Sequence, residues 1–128
     1  MAHRFKRHYT REEAKSLLPT VSRWIEQLTI KRRQASDFDE MLLKRVTRDP
    51  NDHGGPDVNA WITTLSEIKD LLRCFSEKEI QIKDLERGLI DFPAFVGGRE
   101  VFLCWEKGEE DIEYWHDLDS GFGTREPL

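Results

Sequence analysis

Cysteine is scarce: Cys74 and Cys104 are the two in a chain of 128 residues, too few for a disulfide scaffold. One falls in a helical pattern and the other in a strand pattern, so a reducing, cytoplasmic setting is expected. No apolar run approaches the ~20 residues of a membrane span, and no membrane partner is expected. CxxC and HxxxH spacings are missing, which removes the common redox and zinc signatures. The basic start, MAHRFKRHYT, has no apolar segment behind it and does not read as a secretory signal. Internal repeats and low-complexity tracts are also lacking.

What the chain does have is charge. Charged residues make up 35% and hydrophobic ones 38%, a balance that suits long solvated helices better than a thick core. Residues 1–48 carry 12 Lys/Arg against 6 Asp/Glu, while residues 49–128 carry 8 against 19. Two halves of opposite sign attract each other. The basic half is also the one candidate nucleic-acid surface: His3 to His8 with Phe5 and Tyr9 interleaved, and Lys31, Arg32 and Arg33 further on. The acidic total and the lack of a binding module count against that use.

The expected fold class is α+β in a single domain, residues 1–128: a long antiparallel helical hairpin, a small three-stranded antiparallel β-meander, and an ordered C-terminal tail. Thr10 and Glu13 form a capping box that opens a first helix over 10–48. Leu17, Val21, Trp24, Leu28, Ala35, Phe38 and Leu42 repeat at alternating spacings of four and three, interrupted at Lys31. Pro19 invites a kink or a late start. DPNDHGGPD then breaks the pattern. A second helix over 57–87 carries Trp61, Leu65, Ile68, Leu72, Phe75 and Ile82, widened by Val58, Ile62 and Ile80. A turn near Gly54-Gly55 places Lys31 opposite the region of residue 74, and Gly88 serves as a left-handed cap.

After Gly88 the period changes to alternation. LIDFPAFV, REVFLCWE and DIEYWHD read as strands within residues 88–117, joined at Gly97-Gly98 and Lys107-Gly108. The first pairing sets Asp91 beside Cys104 and Phe92 beside Leu103. The second sets Leu103 beside Ile112 and Val101 beside Tyr114. One face then holds Ile90, Phe92, Ala94, Val101, Leu103, Trp105, Ile112 and Tyr114, with His116 at its end, and should pack on the hairpin. The other holds Asp91, Phe95, Phe102, Cys104, Glu106, Glu113, Trp115 and Asp117. Pro93 marks its strand as an edge. Aromatic residues on both faces mean that the second needs the tail, a ligand or another subunit over it. The tail, 118–128, is expected to fold back, with Phe122 packed and Arg125 paired to Asp117 or Asp119.

The words DFPAF, LCWEKGE, IEYWH and GFGTREPL resemble a bacterial family known as domain of unknown function 2203. Tyr9-Thr10 before Glu12-Glu13-Ala14, and Leu17-Leu18-Pro19 beyond, look like the start of that family. The resemblance implies a small bacterial cytosolic protein and no particular activity.

Chemistry is concentrated in five residues. Asp91, Cys104, Glu109, His116 and Arg125 are the expected ligand-binding set, with Cys104 and His116 as the metal-ligating pair and Asp111 or Glu113 as further carboxylates. Thiolate, imidazole and carboxylate can hold zinc or iron. A thiolate beside a histidine can be a nucleophile, but neighbouring carboxylates raise a thiol's pKa and oppose that. Structural roles compete: a buried cysteine, and Arg125 pinning the tail through an ion pair. His53 with Asp52 and Asp57 is a second possible metal cluster, set against a solvated turn. The preferred reading is an interaction or scaffold protein acting as a homodimer, with no catalytic residues and no cofactor. Its rival is a metal- or ligand-binding protein, or an enzyme, with its site around Cys104 and His116.

Overall fold

Thr10 opens the first helix through the expected capping box. Its hydroxyl accepts the Glu13 amide at 3.1 Å, and the Glu13 carboxylate accepts the Thr10 amide at 3.1 Å. This helix, α1 (Arg11–Arg48), continues through Pro19. The computed structural model describes residues 2–128, and of Phe122 the backbone alone, so the expected packing of Phe122 lies outside what is described. A second helix, α2 (Gly55–Glu77), follows the turn. None of the helices described is long and apolar enough to cross a membrane. The chain divides into two compact units, residues 26–73 and residues 1–25 with 74–128.

In the unit of residues 26–73 the helices run antiparallel. Lys31 pairs with Glu67, and Arg45 pairs with Asp52 and Asp57. Lys31 therefore faces Glu67 and not the region of residue 74, a register difference of about two turns. The inward row on α2 is also rotated from the expected one. Thr64 is buried and Val58, Trp61, Ile68 and Leu71 are half-buried, while Leu65 and Leu72 are 39% and 46% exposed. A polar residue at an inward place hides the true row from an apolar pattern.

In the other unit the buried row of α1 is Ala14, Leu18, Val21 and Ile25, so Leu17 and Trp24 flank it instead of forming it. The expected second helix ends ten residues early, at Glu77. Glu79 adopts a left-handed backbone with φ of 55°. The Ile80 amide reaches back to the Phe75 carbonyl and the Glu79 amide to the Ser76 carbonyl, both at 3.1 Å. This is the double closure that stops a helix, usually at glycine. Phe75 and Ile80, each 2% exposed, seal it. Ile82 accordingly belongs to a strand, β1 (Gln81–Asp84), and Gly88 serves the turn after it, with its amide bonded to the Leu85 carbonyl at 3.1 Å.

The sheet has five strands where three were expected: β1, β2 (Leu89–Val96), β3 (Arg99–Glu106), β4 (Tyr114–Asp117) and β5 (Glu126–Pro127), antiparallel in that order. β2 is thus not an edge. β1 covers it as far as Asp91, and at Pro93, beyond β1, the carbonyl accepts the Tyr9 amide at 2.7 Å. Gly97 and Gly98 both take positive φ, as a two-residue hairpin requires, and the β2–β3 register is the expected one, with Asp91 opposite Cys104.

The β3–β4 register differs. Cys104 lies opposite Tyr114, Phe102 opposite His116 and Leu103 opposite Trp115. This is three residues from the expected pairing, an odd shift, so every side chain of β4 changes face. The cause is Glu109. The tight turn forms, with the Glu109 amide bonded to the Glu106 carbonyl at 3.0 Å, but the Glu109 carboxylate then takes the Glu106 amide at 2.6 Å. That replaces the backbone acceptor of a continuing ladder, and the chain rejoins β3 only at Tyr114.

Candidate functional site

The corrected register brings Asp91 (β2), Cys104 (β3) and His116 (β4) to one face of the sheet. The inner face keeps Ile90, Phe92, Ala94, Val101, Leu103 and Trp105, all buried. On the outer face one ligating atom from each of Asp91, Cys104 and His116 lies within 4.8 Å of the other two. All three residues are 3% exposed or less.

The imidazole is fixed from both ends. Nδ1 of His116 lies 2.8 Å from the Asp117 carbonyl, which can only accept, so Nδ1 carries a hydrogen. Nε2 lies 3.0 Å from Oδ2 of Asp91. Apart from the weak donor Cys104, neither Asp91 oxygen receives a well-directed hydrogen bond from the described residues, although both are buried. Nε2 and a carboxylate oxygen thus touch without a hydrogen bond aimed from one to the other, and both are atoms that can ligate a cation. Burial first, and then the Asp91 charge, push the Cys104 thiol up to about 12, with Arg125 pulling the other way. A thiol so placed is neutral at pH 7 and is no nucleophile unless a metal displaces its proton.

Glu109 and Arg125 form a separate pair beside this cluster. Nη2 of Arg125 meets the Glu109 carboxylate at 2.8 and 3.0 Å and the Cys104 carbonyl at 3.4 Å, and the guanidinium lies 4.0 Å from the centre of the Tyr114 ring. The Trp105 indole donates to the Glu109 carbonyl at 2.8 Å. Arg125 thus pins the tail through Glu109; Asp117 pairs with Arg99, and Asp119 with Arg4. Asp111 lies outside the cluster, engaged by Arg11 and Lys15, as is Glu113, whose carbonyl accepts the Leu128 amide. Asp52 and Asp57 are held by Arg45, and among the described residues Asp91, Cys104 and His116 form the one group arranged to hold a metal.

The outer face is covered by residues 3–8, the basic segment. The Phe5 ring packs 5.3 Å from Phe102, and the His8 ring stacks 4.1 Å from Phe95. Glu100 accepts the Arg4 and Phe5 amides at 2.8 and 3.0 Å and meets Nε2 of His8 at 2.7 Å. Glu79 accepts the Lys6 and Arg7 amides at 3.0 and 2.9 Å. The aromatics that interleave this segment are therefore used internally.

With this geometry in hand, the chain can be placed among known proteins. The family described as uncharacterized conserved protein (DUF2203) matches residues 7–128. The chain belongs to this family. No curated protein and no solved structure matches it. The words that carried the resemblance to DUF2203 coincide with the cluster: DFPAF supplies Asp91, LCWEKGE supplies Cys104 and Glu109, IEYWH supplies His116, and GFGTREPL supplies Arg125. Glu79 and Glu100 were missed. Each looks like one more surface glutamate, and no local pattern announces a carboxylate that caps amides some 70 to 95 residues away.

Proposed function

We propose that this member of DUF2203 is a metal-binding protein that takes one divalent cation of the zinc or iron(II) class on Asp91, Cys104 and His116. The observation that carries it is the buried gathering of Asp91, Cys104 and His116, in which Nε2 of His116 touches Oδ2 of Asp91 without a hydrogen bond directed between them. A cation on Nε2 and the carboxylate gives both a partner. Ligand atoms around one zinc stand ~3.3–3.8 Å apart, given its usual bond lengths, and the three here lie within 4.8 Å of one another, so shifts of about 1 Å would bring them to one ion. The bond from Nδ1 to a backbone carbonyl is the support that metal-bound histidines ordinarily have. Mixed nitrogen, oxygen and sulfur donors suit borderline ions and disfavour magnesium or calcium. Three protein ligands leave a further position for water or a small ligand. A reducing, cytoplasmic setting fits, since both cysteines are free thiols.

Titration of the metal-free chain with cobalt(II), followed by zinc, tests this. A one-to-one product with sulfur-to-cobalt charge-transfer absorption, bleached by zinc and missing in Cys104→Ser, is the expected result. A spectrum like that of aqueous cobalt at every ratio overturns it.

A second reading, a homodimeric scaffold, is favoured by one observation. Ile62, Leu65 and Leu72 are 53%, 39% and 46% exposed on α2, at spacings that bring them to one side of the helix. Sedimentation of the chain at micromolar concentration decides it: a mass of two chains supports the scaffold, and a monomer that persists removes it.

A further inference from the structure

The cluster is shut off from solvent, with 3% exposure or less at each ligand, so an ion can enter or leave only if its cover moves. Part of that cover is Phe102, which lies between the Phe5 ring, at 5.3 Å, and the His116 ring, at 5.6 Å. Lys83 sits over the same Phe102 ring at 4.7 Å. The segment that carries Phe5 is not held as a strand. Its amides at Arg4, Phe5, Lys6 and Arg7 donate to the side chains of Glu100 and Glu79. Two carboxylates from distant parts of the sequence thus clamp it, so its closure depends on two side chains and not on a ladder of backbone bonds. Glu79 does this from a left-handed backbone that few non-glycine residues adopt.

We propose that residues 3–8 form a strap, anchored at Tyr9, that gates metal exchange at Asp91, Cys104 and His116, and that the bound metal in turn holds the strap down. This rests on the metal reading above. By linkage, the factor by which strap closure raises the equilibrium affinity for metal is the factor by which bound metal favours strap closure.

The test uses the full chain loaded with zinc. Excess EDTA is added and zinc release is timed for the wild type, for Phe5→Ala and for the double variant Glu79→Gln, Glu100→Gln, each first checked for folding by circular dichroism. Release at least tenfold faster in both variants is expected, with a smaller change in equilibrium affinity because entry speeds up as well. Hydrogen exchange of the Lys6 and Arg7 amides in the wild type supplies a readout that needs no substitution: zinc should slow it at least threefold. One-to-one zinc binding with release rates equal within twofold, or amide exchange indifferent to zinc, overturns the strap and leaves the metal site standing. Failure of the wild type to bind zinc overturns both.

Discussion

Phe102 and His116 are partners across the β3–β4 ladder. Because neighbouring residues on a strand point to opposite faces, that pairing sets His116 on the side of Cys104 and Asp91. Any register differing by an odd number of residues would leave the imidazole on the inner face among Leu103, Phe92 and Val101. The site therefore depends on Glu109, which interrupts the ladder and forces the chain to rejoin β3 at Tyr114.

Cys104 gives the first prediction. Its thiol has an ordinary value of 9.0 and is pushed up to about 12 in the fold, by burial first and by Asp91 second. A folded value above the unfolded one means that the stability from keeping the proton is intact below about 9 and is lost as pH rises toward about 12. The metal-free wild type should lose more stability than Cys104→Ser over that window, by on the order of a few kcal/mol at most. Zinc binding at pH 7 should release at least one proton per ion, visible in how the calorimetric enthalpy changes with the buffer. A binding enthalpy independent of the buffer would contradict a thiolate ligand.

Glu79 should separate two effects in one position. Glycine there keeps the left-handed helix end and removes its strain, roughly 1–2 kcal/mol for a side-chain residue, but loses the clamp on Lys6 and Arg7. Alanine loses the clamp and keeps the strain. Glu79→Ala should therefore be less stable than Glu79→Gly by about 1 kcal/mol, while both free the amides of Lys6 and Arg7 to exchange. Chemical denaturation of the pair settles the order, and an alanine variant as stable as the glycine one would remove the backbone argument.

Glu100 sets the acid limit of the strap. Burial works against its charge, but the His8 imidazole and the Arg4 and Phe5 amides outweigh that and hold its carboxyl down to about 2. The value is below the ordinary 4.5, so the stabilisation is complete above that pH and fades as the pH falls toward about 2. Fluorescence of a probe attached near residue 3 should report release of the segment within this window, and Glu100→Gln should be released already at pH 7. Release that follows the same curve in both proteins would assign the transition to another group.

Much of the fold was legible because it is written in local chemistry. The capping box at Thr10, the Gly97-Gly98 hairpin and the pairing of Asp91 with Cys104 each follow from residues close in sequence. The misses came from side chains doing backbone work. Glu79 ends a helix where glycine is expected, which carried the predicted second helix on toward Gly88. Glu109 substitutes for a ladder acceptor and so shifts β4. Thr64 occupies an inward place on α2 and draws the apolar pattern onto Leu65 and Leu72. The five candidate residues did gather, three as a buried cluster and two as an adjoining pair, but the face of His116 could not be read without the bulk of the 107–113 loop.

The most direct test of the metal reading is elemental analysis of the untagged, purified chain beside its His116→Ala variant. Close to one zinc or iron per wild-type chain, falling to a small fraction in the variant while the circular dichroism spectrum is kept, is the predicted result. Wild-type protein that carries no metal, and takes up none after dialysis against zinc and iron(II), would contradict the metal reading and leave Asp91, His116 and Cys104 as buried structural residues.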